Sequence, residues 1–399
     1  MNEAAADLQS FREETRSWLA ENCPAGAKGP GEIPWGSKKL EIADADTARW
    51  LEVMAGKGWT VPTWPNEYGG AGLSKQEFMV LQDEIRRIGA RAPLTGRGIN
   101  YIGPTILEFG TPEQKSKWLA RLARGDGGWC MGYSEPAAGS DLANVQLKAE
   151  DQGDVYLLNG MKTWTSDGIY GDWIFCLVRT DREVPKHEGI SLILVDMDQP
   201  GVRVRPISLI SGSSPFCETS FEDATAEKDD VIGPVNSGWS VGKRLLQYER
   251  SIHAGVNTSG IQRQEREASL VDIVRQYHGA EEGGRISDSS VRDRLIRLEM
   301  GSRSYQLTQR RVMAETQARA PSTATSILKV TGARLTQGRT EMHQQSLGVQ
   351  GIGWEGPGFS RRELEATRTW LSTRAASIYG GTSEIQLNII AKRVLGLPD

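Results

Sequence analysis

Along the first 127 positions the apolar residues recur at helical spacing. Leu8, Phe11, Trp18 and Leu19 share one face of a segment from Ala5 to Leu19, and Pro24 closes it. Thr111, Pro112 and Gln114 read as an N-cap, a first-turn proline and a capping-box glutamine ahead of Trp118, Leu119 and Leu122 on one face. Two more helical patterns, at 44–57 and 74–89, lie between these, separated by the turn-rich TVPTWPNEYGGAG. The pattern predicts an all-α N-terminal domain over 1–127, with no strand in it.

The period changes after RGDGG at 124–128. Short runs rich in β-branched and aromatic residues follow: VQLKA, VYLLNG, WIFCLVRT, GISLILVDM and VRVRPI, broken by the turn signals DQGD and DQPG. They predict a central β domain over 128–235. From Gly238 the helical period returns at 238–278, 289–320 and 322–347, with a last helix from about Ser383 to Val394, so 236–399 is expected to be α-helical. The fold class is therefore mainly α with a central β domain. No short repeat, heptad array or low-complexity stretch supports a solenoid or coiled coil.

Composition narrows the function. A chain of 399 residues can bury two or three cores without disulfides or metals. A net charge of -4 offers no basic surface for a phosphate backbone, which argues against nucleic acid as a partner. Cys23, Cys130, Cys176 and Cys217 form no CxxC pair, so neither a zinc ribbon nor a thioredoxin-like motif is expected, and no metal. The start MNEAAADLQSFREE lacks the basic and apolar regions of a signal peptide, and no stretch approaches the length of a membrane span. The expectation is a cytoplasmic protein with no membrane insertion.

Three segments carry candidate chemistry. WCMGYSEPAAGSD (129–141) packs small residues and a proline into a loop leading to a strand, where backbone amides can approach a planar polar ligand. Read alone, such a loop is more often a plain connection. NGMKTWTS from Asn159 holds a tryptophan that, on its own, reads as core. IYGGTSEIQ from Ile378 reads as a helix start with Thr382 as N-cap.

In order and spacing these segments resemble the acyl-CoA dehydrogenase family, and GWTVPTWPNEYGGAGLS (58–74) and NSGWSVGKRLLQYER (236–250) extend the likeness across the chain. The resemblance implies an N-terminal α-domain, a β-barrel-like middle domain and a C-terminal four-helix bundle, assembled as a homo-tetramer or dimer. It implies FAD, with Met131, Tyr133, Ser134 and Gly139 of the loop, Trp164 and Ser166 of the strand, and Thr382 and Glu384 of the C-terminal segment on the cofactor. Ser140 would lie toward the acyl-CoA substrate.

Two departures matter. Many straight-chain members carry the catalytic glutamate directly after the tyrosine of the IY segment, where this chain has Gly380. Other branches supply the carboxylate from the first long helix of the C-terminal domain, and QYERS places Glu249 there, flanked by Tyr248 and Arg250; these two and Gly380 are assigned to the substrate side. Independently of any family, Gly242, Leu245, Leu246, Glu249, Ile252, His253 and Val256 share one helical stripe. Most helix carboxylates are structural, and pairing with Arg250 is the plain alternative. The second departure is the region of the family's RxxFG-like pyrophosphate motif, which here reads GGRISDSS with Arg285 as the candidate substitute.

The implied reaction is α,β-dehydrogenation of an acyl-CoA thioester to the trans-2-enoyl-CoA, with Glu249 as base and electrons passed on to an electron-transfer flavoprotein. The alternatives are a flavin oxidase or monooxygenase on the same fold, and a non-catalytic partner subunit of a hetero-oligomer. The acyl group is left open.

Overall fold

The computed structural model describes residues 3–253, 269–317 and 325–398. Val256, and the side chains of Arg250 and His253, lie outside the described part. Packing gathers the residues into two compact units. One holds the helices and sheet up to Ile207 together with Pro215–Ile252; the other holds Ser208–Ser214 and the described chain from 269 onward.

The first unit begins with α1 (Glu3–Asn22), α2 (Ala45–Gly56), α3 (Lys75–Arg87), α4 (Gly103–Phe109) and α5 (Pro112–Arg124). The start of α5 follows its sequence: Thr111 accepts from the Gln114 N–H while the Gln114 side chain accepts from the Thr111 N–H, and Pro112 fills the first turn. Ser74 caps α3 in the same reciprocal way. A single π-turn, Gly98–Ile102, runs directly into α4. Leu19, Trp50, Met54, Trp59, Leu81 and Ile85 make the core among α1, α2 and α3.

Seven strands follow: β1 (Trp129–Gly132), β2 (Lys148–Asp151), β3 (Val155–Ser166), β4 (Trp173–Arg179), β5 (Ile190–Asp196), β6 (Val202–Ile207) and β7 (Phe216–Glu227). They form one curled sheet in the order β1-β4-β2-β3-β7-β6, with β5 also paired to β4. Most pairs are antiparallel; β1 runs parallel to β4, with Trp129 opposite Trp173. The unbroken apolar runs of β4 and β5 have a simple cause, since both strands are buried on both faces. Phe175, Leu177, Leu192 and Leu194 meet Ile102, Ile106, Trp118 and Leu119 of the helices, whereas Ile174, Cys176, Ile193 and Val195 close against Leu158 and Phe221 inside the curl. α6 (Gly238–His253) joins the first of these cores through Val241 and Leu245.

The second unit is helical, with α7 (Leu270–His278), α8 (Ser289–Gln317), α9 (Thr325–Ser346), α10 (Arg361–Ser372) and α11 (Ser383–Ile389), the last running into a π-turn at Ile390–Val394. α9 packs against α7, α8, α10 and α11. The helical pattern expected over 238–278 is thus two helices among the described residues. The order of helices, curled sheet and helices is the fold the resemblance implies.

Candidate functional site

β1 must end on a glycine. A Cβ at Gly132 would stand 2.5 Å from Cys176 Sγ on neighbouring β4, so the chain enters the 133–141 loop pressed onto the sheet. Tyr133 then turns inward, fully buried, with its ring edge-on to Phe175 at 6.3 Å. Its hydroxyl has no hydrogen-bond partner and sits beside Gly242 of α6, 3.4 Å from where a Cβ would be. Ser134 is half-buried, and its carbonyl accepts from the Thr163 N–H at 2.9 Å. Glu135 and Ala138 close a tight turn by mutual backbone hydrogen bonds of 3.0 Å. Beyond the turn Gly139 and Ser140 are exposed, and nothing lies within 4 Å of a Cβ built on Gly139. Met131 is half-buried against the helix–sheet core.

The adjoining end of β3 is irregular. Lys162 opposes Thr219 and Thr165 opposes Cys217, so Thr163 and Trp164 face a single residue of β7 and the strand bulges. Trp164 sits at φ 60°, a left-handed backbone that a bulky residue rarely adopts, and its side chain is 55% exposed. Its ring meets Phe216 edge-on at 6.0 Å. Ser166 is half-buried just beyond.

Glu249 lies on the inward stripe of α6, in line with buried Gly242 and Leu245. Two phenols feel its charge. Burial pushes Tyr101, in the π-turn ahead of α4, up to about 12, and Glu249 adds to the shift. Tyr133 is driven well above its ordinary value, again first by burial and then by Glu249. The end of β1, the π-turn and α6 thus converge on one carboxylate. Tyr248, one residue earlier, points elsewhere: its hydroxyl donates to Glu108 Oε2 at 2.5 Å, and Arg244 Nε donates to the same oxygen at 2.7 Å.

The C-terminal segment belongs to the second unit. Gly380 and Gly381 both take left-handed φ, 63° and 89°, so the IYGG turn needs its glycines. A Cβ at Gly380 would meet only Lys329 Cε, at 3.6 Å, so backbone rather than crowding disfavours a side chain there. Thr382 caps α11, accepting from the Ile385 N–H at 3.2 Å, and Glu384 is exposed in the first turn. Lys329 Nζ stands 4.5 Å over the ring of exposed Tyr379. Arg285 is exposed on the connection before α8.

Sequence reasoning passed over Lys162 and Glu135, a buried ion pair at 2.7 Å beneath the loop, and Tyr101. The signal for Lys162 was present, since it falls on the inward parity of β3 with Tyr156 and Leu158. Among the described residues no His, Cys, Asp and Glu cluster suits a metal ion, and no helix is long and apolar enough to cross a membrane. A cavity of about 510 Å³ lined by Phe11, Trp18, Lys57 and Trp59 includes none of these site residues.

A flavin fits what the first unit presents. A broad aromatic face stands out of a strained bulge, a half-buried hydroxyl lies on the neighbouring loop, and the glycine end of that loop is open. Family models for the acyl-CoA dehydrogenase N-terminal, middle and C-terminal domains match residues 5–126, 130–224 and 236–395. The acyl-CoA dehydrogenase IpdE1 of Mycobacterium tuberculosis is 37% identical over 98% of each chain. The human mitochondrial short-chain specific acyl-CoA dehydrogenase is 28% identical over 86% of this chain and 82% of its own. Among solved structures, the Tcur3481-Tcur3483 steroid ACAD superposes with a TM-score of 0.73 at 27% identity, covering 98% of both chains. The ChsE4-ChsE5 complex of Mycobacterium tuberculosis gives 0.71 at 28%, also over 98% of both.

Proposed function

This chain belongs to the acyl-CoA dehydrogenase family, and from that premise we propose that it oxidises the Cα–Cβ bond of an acyl-CoA thioester with Glu249 as the base. The observation that carries the assignment is the carboxylate on the inward face of α6, within electrostatic reach of Tyr133 in the loop that also carries Ser134. Glycine at 380 supports it, because the other position used for the base in this family has no carboxylate.

Glu249 takes the α-proton of the thioester. Bound FAD supplies the acceptor for the β-hydrogen and its electron pair, since a saturated Cα–Cβ bond is too hard to oxidise for a nicotinamide. Met131, Tyr133, Ser134, Gly139, Trp164, Ser166, Thr382 and Glu384 are the residues assigned to hold it. Ser134 offers a hydroxyl to the ring edge and Trp164 a flat face. Ser140, Tyr248, Arg250 and Gly380 are assigned to the substrate side. An electron-transfer flavoprotein would be the partner that accepts the electrons. The relatives named as steroid ACADs direct the choice of substrate toward thioesters with polycyclic acyl groups.

Association with further subunits has support in α8, where Ile296, Met300 and Leu307 stand exposed at spacings of four and seven on one helical face. A homo-oligomer is the first reading. The two-chain relatives favour a second, in which this chain joins a different subunit. Purifying the chain alone, measuring its mass in solution and its FAD content, and titrating it anaerobically with a panel of acyl-CoA thioesters tests all of this. Loss of the flavin band on substrate addition, stable until an electron acceptor is supplied, is the expected result. Rapid recovery of the band in air marks an oxidase, and a chain that takes up no FAD alone marks a partner subunit.

A further inference from the structure

Lys162 is completely buried, and each of its three N–H groups has an acceptor. It donates to Glu135 Oε1 at 2.7 Å, to the Leu177 carbonyl at 2.6 Å and to the Tyr133 carbonyl at 3.2 Å. Glu135 is used as fully: Oε1 also accepts from the Leu147 N–H at 2.9 Å, and Oε2 from the Gln146 N–H at 2.6 Å. One residue along, the Thr163 N–H holds the Ser134 carbonyl. The backbone on both sides of Ser134 is therefore fixed to β3 and β4, immediately before the bulge that turns Trp164 outward.

Stability alone does not call for this arrangement. Position 162 lies on the inward parity of β3 with Tyr156 and Leu158, where an apolar side chain fills the same volume. Buried ion pairs are commonly no more stabilising than the apolar groups that replace them, because desolvation offsets the attraction. Burial does push the lysine's pKa down, with the nearby Arg179 charge adding to it, and the Glu135 carboxylate opposes that shift. What an apolar pair cannot supply is a fixed set of donors and acceptors, and so one loop geometry.

We propose that the Lys162–Glu135 pair is the positioning element of the flavin site: it clamps Tyr133, Ser134 and Glu135 onto β3 so that the Ser134 hydroxyl and the Trp164 ring are set before the cofactor arrives. The inference rests on the reading that FAD is held by these two residues. Neither Lys162 nor Glu135 needs to touch the cofactor; they act through the loop and the bulge.

The test uses the full chain with Lys162→Met, Glu135→Gln and the double variant. Glu135→Gln keeps the length of the side chain and one oxygen able to accept from the Gln146 or Leu147 N–H, which makes it the variant that folds most readily. Three quantities are read: the thermal midpoint, the dissociation constant for FAD with the shape of its visible band, and amide hydrogen exchange at Thr163, Gln146 and Leu147 in the FAD-free protein. The double variant leaves the Tyr133 and Leu177 carbonyls without their Lys162 donor, so it is expected to melt below the parent while remaining folded. It should bind FAD roughly tenfold to a hundredfold more weakly, the range typical when the supporting partners of a bound group are lost. Its band should be altered, and Thr163 should exchange faster. Parent-like FAD affinity, band shape and exchange in the double variant would overturn the proposal and leave the pair a packing feature. If the parent itself takes up no FAD, the cofactor reading falls, and exchange at the three amides still decides whether the pair pins the loop.

Discussion

The Tyr248 hydroxyl and the Glu108 carboxylate meet at 2.5 Å, tying α6 to α4 one residue before Glu249. Arg244 shares the same oxygen, and burial, then the bond to Glu108, pushes the phenol up to about 12. The contact makes Tyr248 a brace as well as a candidate for the substrate side. Tyr248→Phe should cost about 1 kcal/mol of stability, the usual net worth of one hydrogen bond. As a brace for the base it should lower kcat and leave KM near the parent's; a raised KM with kcat unchanged marks a direct substrate contact instead.

Glu84 of α3 accepts from Arg12, Arg16 and Arg87 and is almost wholly buried. These guanidiniums, Arg16 foremost, bring its pKa from 4.5 down to about 2. A carboxylate depressed by folding adds stability above its unfolded pKa and loses it as pH falls through the folded value. Glu84→Gln should therefore be less stable than the parent at pH 7, by about 1–3 kcal/mol. The two should converge as pH drops from about 4.5 toward 2. Denaturant titrations across that window check it, and a constant gap contradicts the assignment.

Trp164 tests the cofactor face against the fold. Its left-handed backbone costs an L-residue on the order of 1 kcal/mol, and more than half of the side chain is exposed. Trp164→Gly should leave the FAD-free protein as stable as the parent or more so. Loss of an aromatic face is worth about 0.5–1.5 kcal/mol, so FAD affinity should drop by roughly tenfold. Unchanged FAD affinity would remove Trp164 from the site.

The glycine that ends β1 and the glycine of the loop after it should behave in opposite ways. Gly132→Ala drives a methyl into Cys176 and Ile174 and should destabilise by about 1–3 kcal/mol. Gly139→Ala points into open space and should leave the melting temperature unchanged; weakened FAD binding in that variant places the loop's open end against the cofactor.

Much of this was legible in the sequence because it is written in local chemistry. The Thr111 capping box, the face of Trp118 and Leu122 and the unbroken apolar runs of β4 and β5 each follow from rules spanning a few residues. The stripe holding Glu249 was legible for the same reason. What escaped depends on long-range partners. The bulge at Thr163 and Trp164 exists only in the pairing of β3 with β7, the π-turn at Gly98–Ile102 leaves no propensity signal, and the parallel pairing of β1 with β4 brings together residues over forty positions apart. Lys162 sat in plain parity with buried neighbours, but its meaning came from Glu135 on another segment.

The central claim is that Glu249 is the base. Glu249→Gln keeps size and polarity but cannot take the α-proton, so it is the most direct test. In a single-turnover experiment with FAD bound and an acyl-CoA that bleaches the parent, flavin reduction should slow by roughly two to four powers of ten, while FAD and ligand binding stay near the parent's. Reduction within a few-fold of the parent's rate would show that another residue takes the proton.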